Sequence, residues 1–316
     1  MVPAQPTHGT GPRRSVSPPT GRVIAVIALL VSQPEHEFKL SDIVNELAIS
    51  KATCYAVIRA LLDAGYVVRS PRTKGYLLGP ALIAAGRAAE LAFPAVRMAG
   101  PTVRHVANQH NVECVASIIE NGFITVIDWA SPNSSANHAR SWSHVGQRVP
   151  VVPPFGAVQV AWMDDEHVQD WLDRASPLNR VTDLQAALDA VRSRGYDVQS
   201  ENDSLARFRE ALAIFDGKQL SEEMQDAIDL LMAKIGQVEY LPARLRADRG
   251  YSVNAISAPV FDSAGHPVLT LSIHVDRRMT GTEIESTGRD LRRAADEITE
   301  AVGGHAPGNA PRARAG

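Results

Sequence analysis

The stretch "LSDIVNELAISKATCYAVIRALLDAGYVV", Leu40 to Val68, limits the possible folds more than any other part of the chain. It holds two short amphipathic patterns, a tight join and a strand-like run. Ser41 can cap the first helix, with Asp42 in the first turn where the helix dipole favours a carboxylate. Ile43 and Leu47 then share a face. Ser50 can cap the second helix, whose Cys54, Val57, Ile58, Leu61 and Leu62 follow the helical i, i+3, i+4, i+7, i+8 spacing. Gly65 ends it. "RVIAVIALLVSQ" reads as a preceding helix that stops before Pro34. "YVVR" and "GYLLG" flank "SPRTK" as a two-stranded wing.

The second of these helices turns its apolar side to the core, which leaves Ala52, Tyr55, Ala56 and Arg59 on the opposite face. Ser50, Lys51 and Thr53 stand at its N-terminal end. Small Ala52 and Ala56 permit close approach to a DNA groove, and Tyr55 and Arg59 can reach bases or phosphates. Ser50, Lys51 and the helix N–H groups can hold phosphate. The wing adds Arg69, Arg72 and Lys74, within reach of the DNA backbone or minor groove. Residues 1–90 hold ten Lys/Arg against six Asp/Glu, a net of +4 in a chain whose formal net charge is -3. That asymmetry suits a basic head on an acidic body. The same scaffold also serves protein contacts, so a winged-helix interaction or assembly module is the alternative.

A chain of 316 residues is long enough for two domains. Residues 1–20, rich in Pro, Gly, Ser and Thr, and the tail 304–316 read as disordered. The winged helix-turn-helix unit covers 21–80 and a linker helix 81–94. The second domain, 95–303, reads as α+β with an antiparallel sheet. "VECVASIIE" and "FITVIDWA" form a hairpin around Asn121-Gly122, a favoured turn. A loop rich in Ser, Asn and His follows. Helices are expected at 155–163, 166–174 and 182–194, the last closed by Gly195. Two more fall within 203–236, where Leu205, Phe208, Leu212 and Phe215 share one face and Met224, Ile228, Leu231 and Ile235 another. "YSVNAISAPVF" and "HPVLTLSIHV" pair as a second hairpin, and a last helix runs over 282–302.

Cys54 and Cys114 lie in unrelated segments and form no CxxC pair, which fits a reducing cytoplasm. No apolar run approaches membrane-span length, and Val23–Val31 is too short for a secretion signal. GxSxG, HExxH, Walker A, GxGxxG and zinc-deaminase spacings are absent from the sequence. No catalytic residue, metal site or cofactor is therefore expected, and the chain does not read as an enzyme.

The order of "LSDIVNELAISKATCYAVIRALLDAGYVVR", "KGYLLGPALIAAG", "VIDWA", "VGQRVPV", "VRSRGYDV" and "AISAPVFDSAGHPVLTLSIHV" resembles the IclR family of bacterial transcription regulators, over residues 21–304. The resemblance implies a winged-helix head and a GAF-like effector domain. It further implies homodimers or homotetramers on double-stranded promoter DNA, responding to a small anionic or aromatic metabolite. Val253, Ala255 and Ser257 alternate onto one face of their strand, as do Thr270, Ser272 and His274 on theirs. In the family the inner faces of these strands line the effector cavity. The family's serine positions align with Ser272 and His274, and its carboxylate-holding helix start with Phe155, Gly156 and Ala157. Trp129 would supply an apolar wall. Three departures stand out: Ala56 replaces a usual arginine, "VPPFGAVQVAW" lacks the usual lysine, and the segment from Glu201 to Gly250 is unusually long.

Overall fold

The computed structural model describes residues 18–132, 145–175, 183–207, 230, 234–235 and 240–307. The chain divides into two compact units, Met1–Ala85 and Gly86–Gly316.

The first unit contains α1 (Pro18–Ser32), α2 (Leu40–Leu47), α3 (Lys51–Asp63), β1 (Val67–Arg69) and β2 (Tyr76–Leu78). Helix α1 starts inside the stretch expected to be disordered, because Pro18 and Pro19 are pre-set for a first helical turn, where the missing N–H costs nothing. Helix α2 starts one residue before Ser41. Its cap position is Lys39, whose N–H donates to the Asp42 carboxylate at 2.9 Å. Ser50 does cap α3, accepting from the Thr53 N–H at 3.1 Å. Cys54, Ile58 and Leu61 of α3 meet Val26 and Leu30 of α1, Ile43 of α2 and Val67 of β1 in one core. Strands β1 and β2 pair antiparallel, Val67 opposite Leu78. At the base of this wing the Gly79 N–H donates to the Tyr66 carbonyl at 2.8 Å, and the Ala81 N–H to the Gly65 carbonyl at 3.1 Å. A Cβ on Gly79 would run into the Gly65 carbonyl.

Helix α4 (Ala81–Ala92) begins there and none of its residues is buried. Pro94 opens α5 (Pro94–His110) after a break at Phe93. The second unit is built on a six-stranded antiparallel sheet of β3 (Glu113–Glu120), β4 (Phe123–Ala130), β5 (Arg148–Pro150), β6 (Asp197–Ser200), β7 (Gly250–Phe261) and β8 (Pro267–Thr280). The strand order is β5-β4-β3-β8-β7-β6. Asn121 and Gly122 both take positive φ, 51° and 77°, as the expected two-residue turn requires. Helix α9 (Gly281–Ala301) is capped reciprocally by Thr280 and Glu283, and packs with α5 on one face of the sheet over Cys114, Ala116, Leu271 and Ile273. The other face carries α6 (Ala157–Val160), α7 (Asp165–Asp173) and α8 (Leu184–Arg194). The α6 region is much shorter than the helix expected over 155–163. Residues 304–307 are not loose: the Gly304 and His305 N–H groups donate to Thr299 and Asp262 carbonyls at 2.7 and 3.2 Å.

The loop expected to be rich in Ser, Asn and His falls largely outside the described residues, as do most of the two helices expected within 203–236. Among the described residues no helix is long and apolar enough to cross a membrane.

Candidate nucleic-acid interface and ligand cavity

On α3 the packing face and the polar face separate cleanly. Cys54, Val57, Ile58 and Leu61 are buried, whereas Lys51, Ala52, Tyr55, Ala56 and Arg59 are exposed and Thr53 half-buried. Tyr55 is 57% exposed, unusual for an aromatic ring without a partner surface. Arg59 Nε lies 3.2 Å from Asp63, one turn on, and both side chains are exposed. Such a pair holds weakly against water, so its guanidinium can be recruited by a competing phosphate at small cost. On the wing, Arg69 Nε donates to the Lys74 carbonyl at 3.1 Å and the guanidinium stacks over Tyr76 at 5.7 Å. Arg69 thus shapes the wing, while Arg72 and Lys74 stand exposed at its tip. Ser50, at the cap, is exposed as well.

The cavity of the second unit follows from sheet register. Directly paired residues share a face. One row runs Glu113, His274, Ala255, Gln199; the next runs Val115, Ser272, Ser257, Asp197; in the third, Ser117 stands opposite Thr270. These side chains leave a cavity of about 140 Å³ beneath α6. Its apolar wall is Val115, Ile124, Val126, Val149, Val158, Phe155 and Leu205. Its polar wall is Ser117, Asn254, Ser257, Thr270, Ser272, His274 and Gln199, with Gln147, Gln159 and Tyr240 at other points. Thr270 is 3% exposed, and its hydroxyl has no hydrogen-bond partner among the described residues; the same holds for His274 Nδ1.

Of the expected cavity residues, Phe155, Gly156, Ala255, Ser257, Ser272 and His274 line it together. Three do not. Val253 packs on the opposite face with the α5 and α9 core, because a bulge between Val253 and Ala255 puts the strand out of phase. Ala157 is fully buried in the core below α6. Trp129 pairs with Val115 but lies past the β3–β4 bulge, beyond Ile124 and Val126, the residues β4 gives to the cavity. Gln199, Tyr240, Asn254 and Leu205 were not anticipated.

Gly156, at φ +90°, turns the chain into α6. The preceding residue is fixed from behind, since the buried Trp171 Nε1 donates to the Phe155 carbonyl at 2.9 Å. Trp171→Phe leaves that carbonyl short of its side-chain donor and opens a void. A loss of about 2 kcal/mol is expected in urea unfolding; an unchanged midpoint would mean that this contact does not hold the cavity wall.

No protein-family model matches the chain. Among curated proteins it is similar to the HTH-type transcriptional regulator KdgR of Dickeya chrysanthemi, 23% identical over 190 residues. That match covers 58% of this chain and 61% of the Dickeya protein, so the chain spans less than two thirds of that relative. KdgR of Escherichia coli K12 is 24% identical over 190 residues, covering 58% and 71%. Among solved structures, an IclR transcriptional regulator from Alicyclobacillus acidocaldarius superposes with a TM-score of 0.59 at 22% identity, over 92% of this chain and all of that one (100%). The Thermotoga maritima IclR gives 0.56 at 18%, over 90% and 98%. An IclR homolog from Microbacterium hydrocarbonoxydans, complexed with 4-hydroxybenzoate, gives 0.58 at 18%, over 90% and 98%. The fold is that of these structures, and the likeness read from the sequence holds at that level.

Proposed function

We propose that this chain, which has the IclR fold, is a DNA-binding transcriptional regulator whose second unit takes a small-molecule effector. The observation that carries the reading is the exposed polar face of α3, with Tyr55 and Arg59 at its centre and Ser50, Lys51, Ala52, Thr53 and Ala56 around them, beside a wing bearing Arg69, Arg72 and Lys74. In this reading α3 enters the major groove and the wing follows the backbone. The effector occupies the cavity between Phe155, Gly156, Ala255, Ser257, Ser272 and His274. A volume near 140 Å³ matches the roughly 150 Å³ that admits one benzene-sized molecule.

The chain works as a homodimer or homotetramer. Ile83, Leu91 and Phe93 are 62%, 70% and 58% exposed along and just after α4, a run of apolar surface that a second copy would cover. Two copies of α3 would then sit one helical turn of DNA apart, or a small multiple of it. Its place is the cytoplasm, and it performs no catalysis. Effector binding changes DNA affinity only so far as it favours one arrangement of the heads over another.

The test is fluorescence anisotropy with DNA from upstream of the protein's own gene against a scrambled duplex, across a salt series. Selective binding with a steep salt dependence is expected. Arg59→Ala should weaken selective binding by about tenfold or more, while Lys74→Ala weakens both duplexes alike and lowers the salt slope by about one. Equal, weak binding to both duplexes by the unaltered protein would favour the protein-interaction module instead.

A further inference from the structure

We propose that Asp197 sets the hydrogen-bond polarity of the cavity wall, through Ser257 and Ser272, so that the cavity takes a neutral hydroxyl-bearing ligand in preference to a carboxylate. This rests on the reading that the cavity holds an effector.

Asp197, Ser257 and Ser272 stand in one row across β6, β7 and β8. Asp197 is 1% exposed and forms no ion pair among the described residues. The nearby Arg194 guanidinium is spent on the Tyr196 and Pro242 carbonyls, at 2.8 and 3.1 Å. An ionised carboxylate only accepts hydrogen bonds, so every neighbour must turn a donor toward it. The Gln199 amide donates to Asp197 Oδ2 at 3.2 Å and faces Ser257 Oγ at 3.5 Å, which turns its oxygen to the Tyr240 hydroxyl at 2.8 Å. The Ser257 hydroxyl interacts with the carboxylate, and the Ser272 hydroxyl donates to Ser257 at 2.9 Å.

The Ser272 proton is therefore spent on Ser257. Ser272 is left offering lone pairs to whatever occupies it, and the matching ligand group is a donor. Two further facts act against an anion. Among the described residues no Lys or Arg lines the cavity, and Glu113 stands directly opposite His274 on the same face. The anionic effector expected from the sequence is therefore the disfavoured class, and a hydroxyl on a small ring the favoured one.

Titrations of the full chain at neutral pH with benzyl alcohol and with benzoate, read by ligand-observed NMR, separate the two. The alcohol should bind about tenfold more tightly, the worth of one mismatched buried hydrogen bond. Asp197→Asn, which can donate to Ser257, should bring the two affinities to within about threefold. Ser257→Ala, which cuts the chain and keeps the carboxylate, should do the same. Tighter binding of benzoate by the unaltered protein, or an unchanged ratio in both variants, would overturn the proposal. If neither probe binds while selective DNA binding persists, the effector-cavity reading fails first and this inference falls with it.

Discussion

Asparagine in place of Asp197 should make the protein more stable at neutral pH, by roughly 3 kcal/mol. The carboxyl lies wholly inside the second unit, and its Oδ1 has no partner among the described residues. Burial pushes its pKa up from 3.8 to about 6, in spite of the opposing pull of Gln199, Arg194 and Ser257. Below 3.8 the group is protonated in both folded and unfolded chains and costs nothing as a charge. As pH rises from there toward 6, the unfolded chain releases its proton while the folded chain keeps it, so stability drains away. Above 6 the loss is complete. Asparagine has no charge to bury and removes this pH dependence. Urea unfolding at about pH 3.5 and pH 7.5 checks it: the variant should gain on the parent only at the higher pH. Equal differences at both would mean that the carboxylate is not paying a burial penalty.

Ile58→Ala should cost 2–5 kcal/mol in the first unit, to judge by truncations of buried Ile and Leu in general. Ile58 is 1% exposed and sits where α3 meets the core residues of α1 and α2. A unit this small has little stability to spare. Calorimetry should show an early transition shifted or lost with the later one in place, and selective DNA binding should vanish with the early transition. An unmoved first transition with intact binding would show that α3 is held by something other than this core.

The head was readable because its signals are local. Apolar spacing in α3, the Ser50 cap and the paired short strands each act within a few residues, so they survive without knowledge of the rest of the fold. The Asn121-Gly122 turn belongs to the same class, since both residues tolerate the φ it demands. The cavity is another matter. Strand β6 spans only Asp197–Ser200, and two of its four residues carry polar groups turned inward, so it offers no apolar alternation to detect. Val253 was misplaced because a bulge moves every residue before it to the other face, and bulges leave no mark in composition. Tyr240 and Leu205 reach the cavity from the segment that is longer than the family pattern leads one to expect. Gln199 and Asp197 come to the cavity wall only once β6 is laid beside β7, a pairing between positions 53 to 60 residues apart.

The glycine contact at the wing base has a mechanical meaning. The carboxyl end of α3, the foot of the wing and the first turn of α4 are pinned together there, by two backbone hydrogen bonds and an approach too close for any side chain. Nothing at that point can flex without breaking one of them. Within the first unit the start of α4 is thus riveted to the end of α3, and the wing stands on the same rivet.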